Sequence, residues 1–326
     1  MHLRNLHGTF VEPISQSTTT KLVPMFSGSK LLSNNDILLP AVIYWDKDER
    51  FKINRPQLPW TKRRNEVLWR GTASSGRNRH ENWTRFQRHR LLSMLNGSQV
   101  EMSLDDRHGE AIDAYALQGE EQNRTWTTHA NAEYSLPHNF PLPNQALYPL
   151  QSFALSILPD WIRSWSNAAF IRLVCFPETK EYGCNYTGAW YRQGVQTPLH
   201  RMFNAKCLSD VDGNSFSGRY RAFLQSNSLP IKATVYNEWH DDRLIPWKHF
   251  VPMDNIFIDL WAILEYLISH EDVAEKIALE GQAWAEKVLR EEDMLAYVYR
   301  LMLEYARVSS DLREEMGWIE DGLRAT

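Results

Sequence analysis

The stretch KCLSDVDGNSFSGRYRAFLQSNSLPIKATVY, Lys206 to Tyr236, carries the plainest architectural signal in the chain. KCLSDV reads as a short strand and DGNSFSG as a tight polar loop. RYRAFLQSN is helical: Tyr220, Phe223 and Leu224 fall at i, i+3, i+4, with Ser217 as N-cap. Leu229-Pro230 stops the helix. IKATVY then sets Ile231, Ala233 and Val235 against Lys232, Thr234 and Tyr236, the period of a strand. Strand, loop, helix, strand at this length is a βαβ unit, which implies a parallel sheet with helices on its faces. Two arginines sit badly with the helix. Arg219 and Arg221 fall in its first turn, where a cation costs about 0.3–1 kcal/mol against the helix dipole. A nearby carboxylate or an anionic ligand must offset them.

The same pattern recurs upstream. NEVLWRG (Asn65 to Gly71) is strand-like and ends in Gly. The polar loop TASSGRNRHEN follows, and WTRFQRHRLLSMLNG reads as a helix closed by Asn96-Gly97. AFIRLVCF (Ala169 to Phe176) is a buried-strand candidate and HFVPM a further short strand. DNIFIDLWAILEYLIS starts a helix at an Asp254/Asn255 cap. Beyond it Val273, Ile277, Trp284 and Val288 form one core stripe, and Met294, Tyr297, Leu301 and Tyr305 another. The first 60 residues are short apolar pieces between Pro, Ser and Asn. The section from Ser98 to Pro149 reads as a long connection carrying one helix.

The chain has 326 residues, room for two domains, and a net charge of −4. That charge excludes a general nucleic-acid polycation, but it is uneven. Lys62 to Arg90 holds nine Lys/Arg against two acidic residues, a local +7. These arginines lie among Gly, Ser and Thr, and guanidinium forks suit phosphate oxygens. Cys175, Cys184 and Cys207 fit no zinc spacing; one disulfide with a free thiol and no disulfide are both open. Sequons at Asn82, Asn96, Asn123 and Asn185 lean toward a secretory lumen. No signal peptide or long apolar run occurs in the sequence.

In open α/β sheets ligands lie beyond the carboxyl ends of strands, and phosphates favour free backbone N–H groups there. Gly213 to Arg219 is such a place, with Asn214, Ser215 and Ser217 as donors and Arg219 as charge. Thr72, Ser74, Ser75, Arg77 and Arg79 repeat the arrangement, so the two loops suggest one diphosphate held between them. The plainer alternative pairs Arg219 with Asp210 or Asp212 and Arg77 with Glu81. Neither loop is a Walker or dinucleotide glycine motif. Glu238, after the last strand, suits ribose hydroxyls; its plainer partner is Arg243. Asp210-Val-Asp212 has the D-x-D form of some metal-dependent sugar transferases.

At these residues the sequence resembles glycosyltransferase family 90, which holds fungal capsule-associated xylosyltransferases and animal protein O-glucosyltransferases. The carriers are DILLPAVIYW, VLWRGTASSGRN, the stretch DVDGNSFSGRYRAFLQSNSLPIKATVYNEWHDDRLIPWKHFVPMD, and VAEKIALEGQAWAEKVLREEDMLAYVYRLMLEYA. The resemblance is greatest to filamentous-fungal members. It implies an α/β GT-B-like fold, two Rossmann-like domains facing a cleft, and an inverting transfer of glucose or xylose from a UDP-sugar to a hydroxyl of a glycan or protein. It implies UDP-glucose or UDP-xylose as donor, with no metal and no other cofactor; the net charge of −4 and the lack of a nucleic-acid motif separately argue against a nucleic-acid partner. The resemblance also implies residence in the ER or Golgi lumen. Carried over, Thr72 meets the donor, Arg77 or Asn78 matches the loop arginine, and Asn214, Ser215, Phe216, Ser217, Gly218 and Arg219 match the donor loop.

The family's general base is an Asp in a short motif upstream of the HGTF…P region. Here the sequence opens at Met1 and HGTFVEP starts at His7, so the base is expected upstream of Met1 and no catalytic base is assignable. Asp36, His7 and His240 have no support for that role beyond their chemistry. The expected organisation is therefore an incomplete acceptor-side domain over residues 1–64, a donor-binding Rossmann-like domain over 65–305, and a C-terminal helix over 306–326 that packs back on the N-terminal part. The membrane anchor usual in the family is likewise expected upstream of Met1. The alternative expectation is a catalytically impaired fragment or pseudoenzyme that binds UDP-sugar without a base.

Overall fold

A computed structural model gives the fold; the residues it describes are 6–14, 23–45, 51, 53, 57–109, 150–154, 156–176, 184, 187, 191 and 193–312. Five strands form one sheet: β1 (Arg64–Thr72), β2 (Ser166–Arg172), β3 (Ala205–Val211), β4 (Leu229–Ala233) and β5 (Val251–Pro252). All neighbours are parallel and the spatial order is β2-β1-β3-β4-β5. Parallel strands need crossovers, and helices supply most of them. Between β1 and β2 lie α1 (Gln87–Met94), α2 (Gly97–Gly109) and α3 (Leu158–Trp165). Between β3 and β4 lies α4 (Tyr220–Gln225), and after β5 come α5 (Leu260–Ser269), α6 (Glu271–Val288) and α7 (Glu291–Ser309).

Alternation along β1 sends Val67 and Trp69 to one core, with Leu91, Met94, Ile162 and Trp261, and Leu68 to another, with Leu208, Ala222 and Phe223. Because helices cover both faces, the half-buried alternation expected of IKATVY is not seen. All five β4 residues are buried, Lys232 among them. The strand also starts earlier than its pattern suggests, at Leu229, and contains Pro230. The β4–β5 pairing begins only at Ile231, so the missing Pro N–H costs that ladder no hydrogen bond.

Other boundaries move for local reasons. Residues 83–85 form a 3-10 turn before α1, and Asn96 both ends α1 and accepts hydrogen bonds from the N–H groups of Ser98 and Gln99 at the start of α2. β2 begins at Ser166 and ends at Arg172, earlier than AFIRLVCF predicts. α5 begins five residues after the expected cap: Asp254 instead accepts from the Ile256 N–H, and the Asp259 carboxylate receives the Asp254 N–H. The buried stripe of α6 is Ala274, Ile277, Ala278, Gly281 and Ala285, with Trp284 at its edge. Small residues face inward there because backbone is close: a Cβ on Gly281 would lie 2.2 Å from the His249 carbonyl oxygen.

The described residues before β1 pack on this same body. Lys30–Leu31 pairs antiparallel with Tyr236–Asn237, and Phe26–Ser27 pairs parallel with Ile37–Leu38. α7 returns to this segment, with the Tyr297 hydroxyl donating to the Leu38 carbonyl (2.9 Å) and Tyr305 edge-on to Phe26. Residues 313–326, most of the expected C-terminal helix, lie outside the described residues, as does Met1. Cys175 and Cys184 form a disulfide and Cys207 is a buried free thiol. Asn82 is buried, its side chain bonded to Arg79 N–H and the Arg77 carbonyl, so that sequon is folded inward. Asn123 and Asn185 lie outside the described residues. Among the described residues no helix is long and apolar enough to cross a membrane.

Candidate functional site

The strand order 2-1-3-4-5 reverses direction between β1 and β3, and the loops leaving their carboxyl ends diverge to opposite faces. This is the topological switch point where doubly wound sheets bind ligands. Here it is bounded by residues 73–79 after β1 and 212–219 after β3. The two loops are joined directly: Asn214 Oδ1 accepts hydrogen bonds from the Ser75 N–H (2.9 Å) and the Gly76 N–H (3.1 Å).

Two guanidiniums reach this rim from opposite faces. Arg88, on α1, donates from Nε to the Asp212 carbonyl (2.9 Å). Its Nη1 donates to the Thr72 carbonyl (2.9 Å) and the Ser74 hydroxyl (2.8 Å). Arg219, just before α4, donates to the Arg70 carbonyl and lies 3.7 Å from Asp210 Oδ1. Both pack on Trp69. Burial pushes Arg88 down to about 9, and the charge of Arg219 adds to the effect. Burial also lowers Arg219, with Asp210 opposing. Asp210 is pushed up to about 6 by burial, against the pull of Arg219, Lys232 and the Ser217 hydroxyl. A carboxylate that is itself reluctant to ionise thus faces the half-buried Arg219. Arg219 Nη2 makes no hydrogen bond.

The conflict at the start of α4 is resolved in two ways. Arg219 is itself the N-cap residue, and Ser217 turns its hydroxyl to Asp210 instead of capping. Arg221 reaches across to donate to the Leu289 carbonyl (2.8 Å), the C-cap of α6, where a cation is favoured. The paired-carboxylate alternative for Arg219 therefore holds in part, through Asp210.

Asp212 is taken by other groups. Its carboxylate accepts from the Thr234 hydroxyl (2.6 Å) and the Val235 N–H (2.7 Å), and lies 3.4 Å from His7 Nε2. The HGTF segment sits on the same rim: Gly8 N–H donates to Gln87 Oε1 (2.9 Å) and the Thr9 hydroxyl meets the Tyr236 hydroxyl (2.7 Å). Among the described residues no group of three His, Cys, Asp or Glu side chains is arranged for a metal ion.

Not every expected site residue converges. Thr72, Asn214, Ser217 and Arg219 do. Phe216 packs beside Tyr44, and Gly218 lies against Ile43, whose Cδ1 would be 2.8 Å from an added Cβ. Ser215 contributes its carbonyl to the Gly213 N–H. Arg77 does not meet Glu81 but points outward, donating to the Ile14 carbonyl (3.0 Å) and stacking on Phe176. Arg79 pairs with Glu12. Asn78 is buried and ties the Ala73 and Val174 carbonyls.

Glu238 does not face Arg243, which stacks on Trp239. It is buried with the Tyr44 hydroxyl on one oxygen and Lys232 Nζ 3.5 Å from the other. Burial works to lower Lys232, but Glu238, Asp241 and Asp210 prevail and hold it above its ordinary value. His240 is buried between Glu238 and Asp241. A base upstream of Met1 falls outside the described residues. The sequence does not single out Arg88, Gln87, His7 or Tyr236 as rim residues. Arg88 is one of nine cations in its run, and only the three-dimensional fold separates it from Arg63, which is buried among the carbonyls of Phe203 and Ala205.

A doubly wound parallel sheet whose switch point gathers one buried and one half-buried guanidinium, hydroxyls and paired backbone N–H groups defines a Rossmann-like α/β protein with a donor-rich rim. Residues 178–315 match the profile described as Glycosyl transferase family 90. The curated proteins it resembles include human protein O-glucosyltransferase 3, 31% identical over 185 residues, 51% of this chain and 36% of that protein. Protein O-glucosyltransferase 2 of Danio rerio is 30% identical over 33% of this chain and 22% of its own length. Human protein O-glucosyltransferase 1 is 27% identical over 32% and 27% respectively. The chain spans about a third of the length of the first of these relatives.

Proposed function

We propose that the rim between β1 and β3 binds the diphosphate of a UDP-sugar, and that the chain is the donor-binding half of an inverting glycosyltransferase that moves glucose or xylose to a hydroxyl of a glycan or protein. One observation carries this reading. Arg88, buried, and Arg219, half-buried, both held below their ordinary pKa, converge at the switch point, where Asp210 meets Arg219 and Arg219 Nη2 makes no hydrogen bond. Asp210 and Asp212 offset part of this charge, and an anion would satisfy that Arg219 donor. The family match and the relatives named protein O-glucosyltransferase supply the sugar.

In the reaction the acceptor oxygen attacks the anomeric carbon while the bond from that carbon to the phosphate oxygen breaks. The acceptor proton passes to a base and the electron pair leaves on UDP. The role assigned to Arg219 is to stabilise that growing negative charge; one such preorganised donor is worth about 10²–10³ in rate. His7 and His240, the histidines considered as bases, are buried against Asp212 and between Glu238 and Asp241. Following what the family resemblance implies, we assign the base to a second Rossmann-like domain facing this rim, in a GT-B arrangement. The Cys175–Cys184 disulfide supports residence in an oxidising secretory lumen.

Calorimetric titration with UDP tests the proposal. The wild-type chain is expected to bind, and Arg219→Ala to bind about tenfold more weakly or worse, the worth of one charge-assisted hydrogen bond. Absence of binding at millimolar UDP by the folded wild type would sink the reading.

A further inference from the structure

Ser75 and Gly76 are consecutive residues with positive φ, 122° and 125°. For serine this backbone conformation is strained, and such strain persists only where the surroundings impose it. Here they do. A Cβ on Gly8 would lie 1.6 Å from the Ser75 carbonyl oxygen, and one on Gly76 2.5 Å from the Glu12 carbonyl oxygen, so the N-terminal segment presses the loop from behind. The result is a pair of adjacent N–H groups converging on a single point. Successive N–H groups held this way form a concave anion cradle.

The point they converge on is filled by Asn214 Oδ1, a neutral oxygen on an exposed residue. Among the described residues the carboxamide has no other hydrogen bond. Close by stand the Ser74 hydroxyl, already bonded to Arg88 Nη1, and Gly213, where an added Cβ would be 3.0 Å from Arg88 Nη2 and 3.7 Å from Ser74 Oγ. The Ser75 side chain is fully buried and its hydroxyl makes no hydrogen bond.

We infer that the Ser75–Gly76 N–H pair is itself a phosphate-oxygen subsite, and that the Asn214 carboxamide is a removable plug in it, not a direct donor to the ligand. This rests on the diphosphate reading above. The exchange is favourable in sign: two neutral hydrogen bonds to an amide oxygen are replaced by two charge-assisted ones, about twice as strong, to a phosphoryl oxygen. The neutral plug also explains why Asn and not Asp suits this position. A carboxylate there would be held by the same two N–H groups and would repel the ligand.

The test uses UDP and inorganic pyrophosphate as probes, titrated against wild type, Asn214→Asp and Asn214→Ala. Asn214→Asp, nearly isosteric, is expected to weaken both probes by at least about tenfold, because the carboxylate occupies the cradle. Asn214→Ala is expected to tighten them by about threefold, since nothing need be displaced. If Asn214→Ala instead weakens binding as much as Asn214→Asp, Asn214 is a direct contact and the inference is wrong. If Asn214→Asp binds as wild type does, the cradle is unused. Should the alanine variant fail to fold, the wild-type amide resonances of Ser75 and Gly76 decide. They must shift with added pyrophosphate, and unmoved resonances with measurable binding overturn the subsite. Failure of the wild type to bind either probe would instead remove the diphosphate reading.

Discussion

Replacing Gly8 with alanine probes how the N-terminal segment supports the rim. The added Cβ would lie 1.6 Å from the Ser75 carbonyl oxygen and 2.6 Å from Phe86 Cδ1, whereas real Cβ atoms essentially never come within 3.0 Å of such atoms. One of the two chains must therefore retreat by about 1.4 Å in an interior packed as densely as a crystal. Overpacking of this kind costs about 1–3 kcal/mol. The retreat also strains hydrogen bonds that cross the gap, Gly8 N–H to Gln87 Oε1 and Arg77 N–H to the Glu12 carbonyl, both 2.9 Å. Each is worth about 1 kcal/mol net. Together the loss is about 3–5 kcal/mol, and the melting temperature should fall by about 4–7 °C. Because the moving backbone is that of Ser75, UDP affinity should fall with it. The assay pairs a calorimetric melt with a UDP titration on the same sample. A Gly8→Ala variant that melts with the wild type and binds UDP equally well would refute the packing of this segment behind the loop.

Arg88→Met should be among the most damaging single changes. It removes the Arg88 donors to the Thr72 and Asp212 carbonyls and the Ser74 hydroxyl while keeping bulk, leaving Gln87 Nε2 on the Asp212 carbonyl (3.3 Å). A loss of about 3–5 kcal/mol is expected by chemical denaturation, with weakened UDP binding in whatever folds. Asp259 carries a pH prediction. Burial pushes it up to about 6, above its ordinary 3.8. Its contribution to stability is thus full below about pH 4 and is lost as the pH rises through about 6. The amide introduced by Asp259→Asn would keep one acceptor for the Asp254 N–H without that loss. Thermal melts should accordingly show Asp259→Asn more stable than wild type at pH 7.5 and no more stable at pH 4; equal gains at both would contradict the buried charge.

How much of this is legible in the sequence differs by element. The strand–loop–helix–strand from Lys206 to Tyr236 declares itself, because β3, α4 and β4 are bounded by Gly, Ser and Pro at the right spacing. So does β1, with its terminal glycine. What periodicity cannot give is the second covered face. Nothing local distinguishes Lys232 from a solvated lysine, yet α4 and α6 pack over β4 and enclose it with Glu238 and Asp241. The arginines follow the same rule. Arg219 is identifiable from its conflict with the helix dipole, whereas Arg88, Arg77 and Arg63 share one composition and take three different roles set by distant carbonyls. The inward face of α6 departs from its sequence pattern, which favours bulky residues, because close backbone there demands Ala and Gly. The contact of His7 with Asp212 joins residues 205 positions apart, and no local signal marks it.

If a diphosphate completes the cation pair at the β1/β3 rim, a crystal of this chain grown with UDP will hold it there. Density for two phosphates is expected between residues 73–78 and 212–219, within hydrogen-bond reach of Arg219 and of the Ser75 and Gly76 N–H groups, with the Asn214 side chain swung aside. Nucleotide bound at another edge of the sheet, with Arg219 still on Asp210 and Asn214 still in the cradle, would contradict this reading.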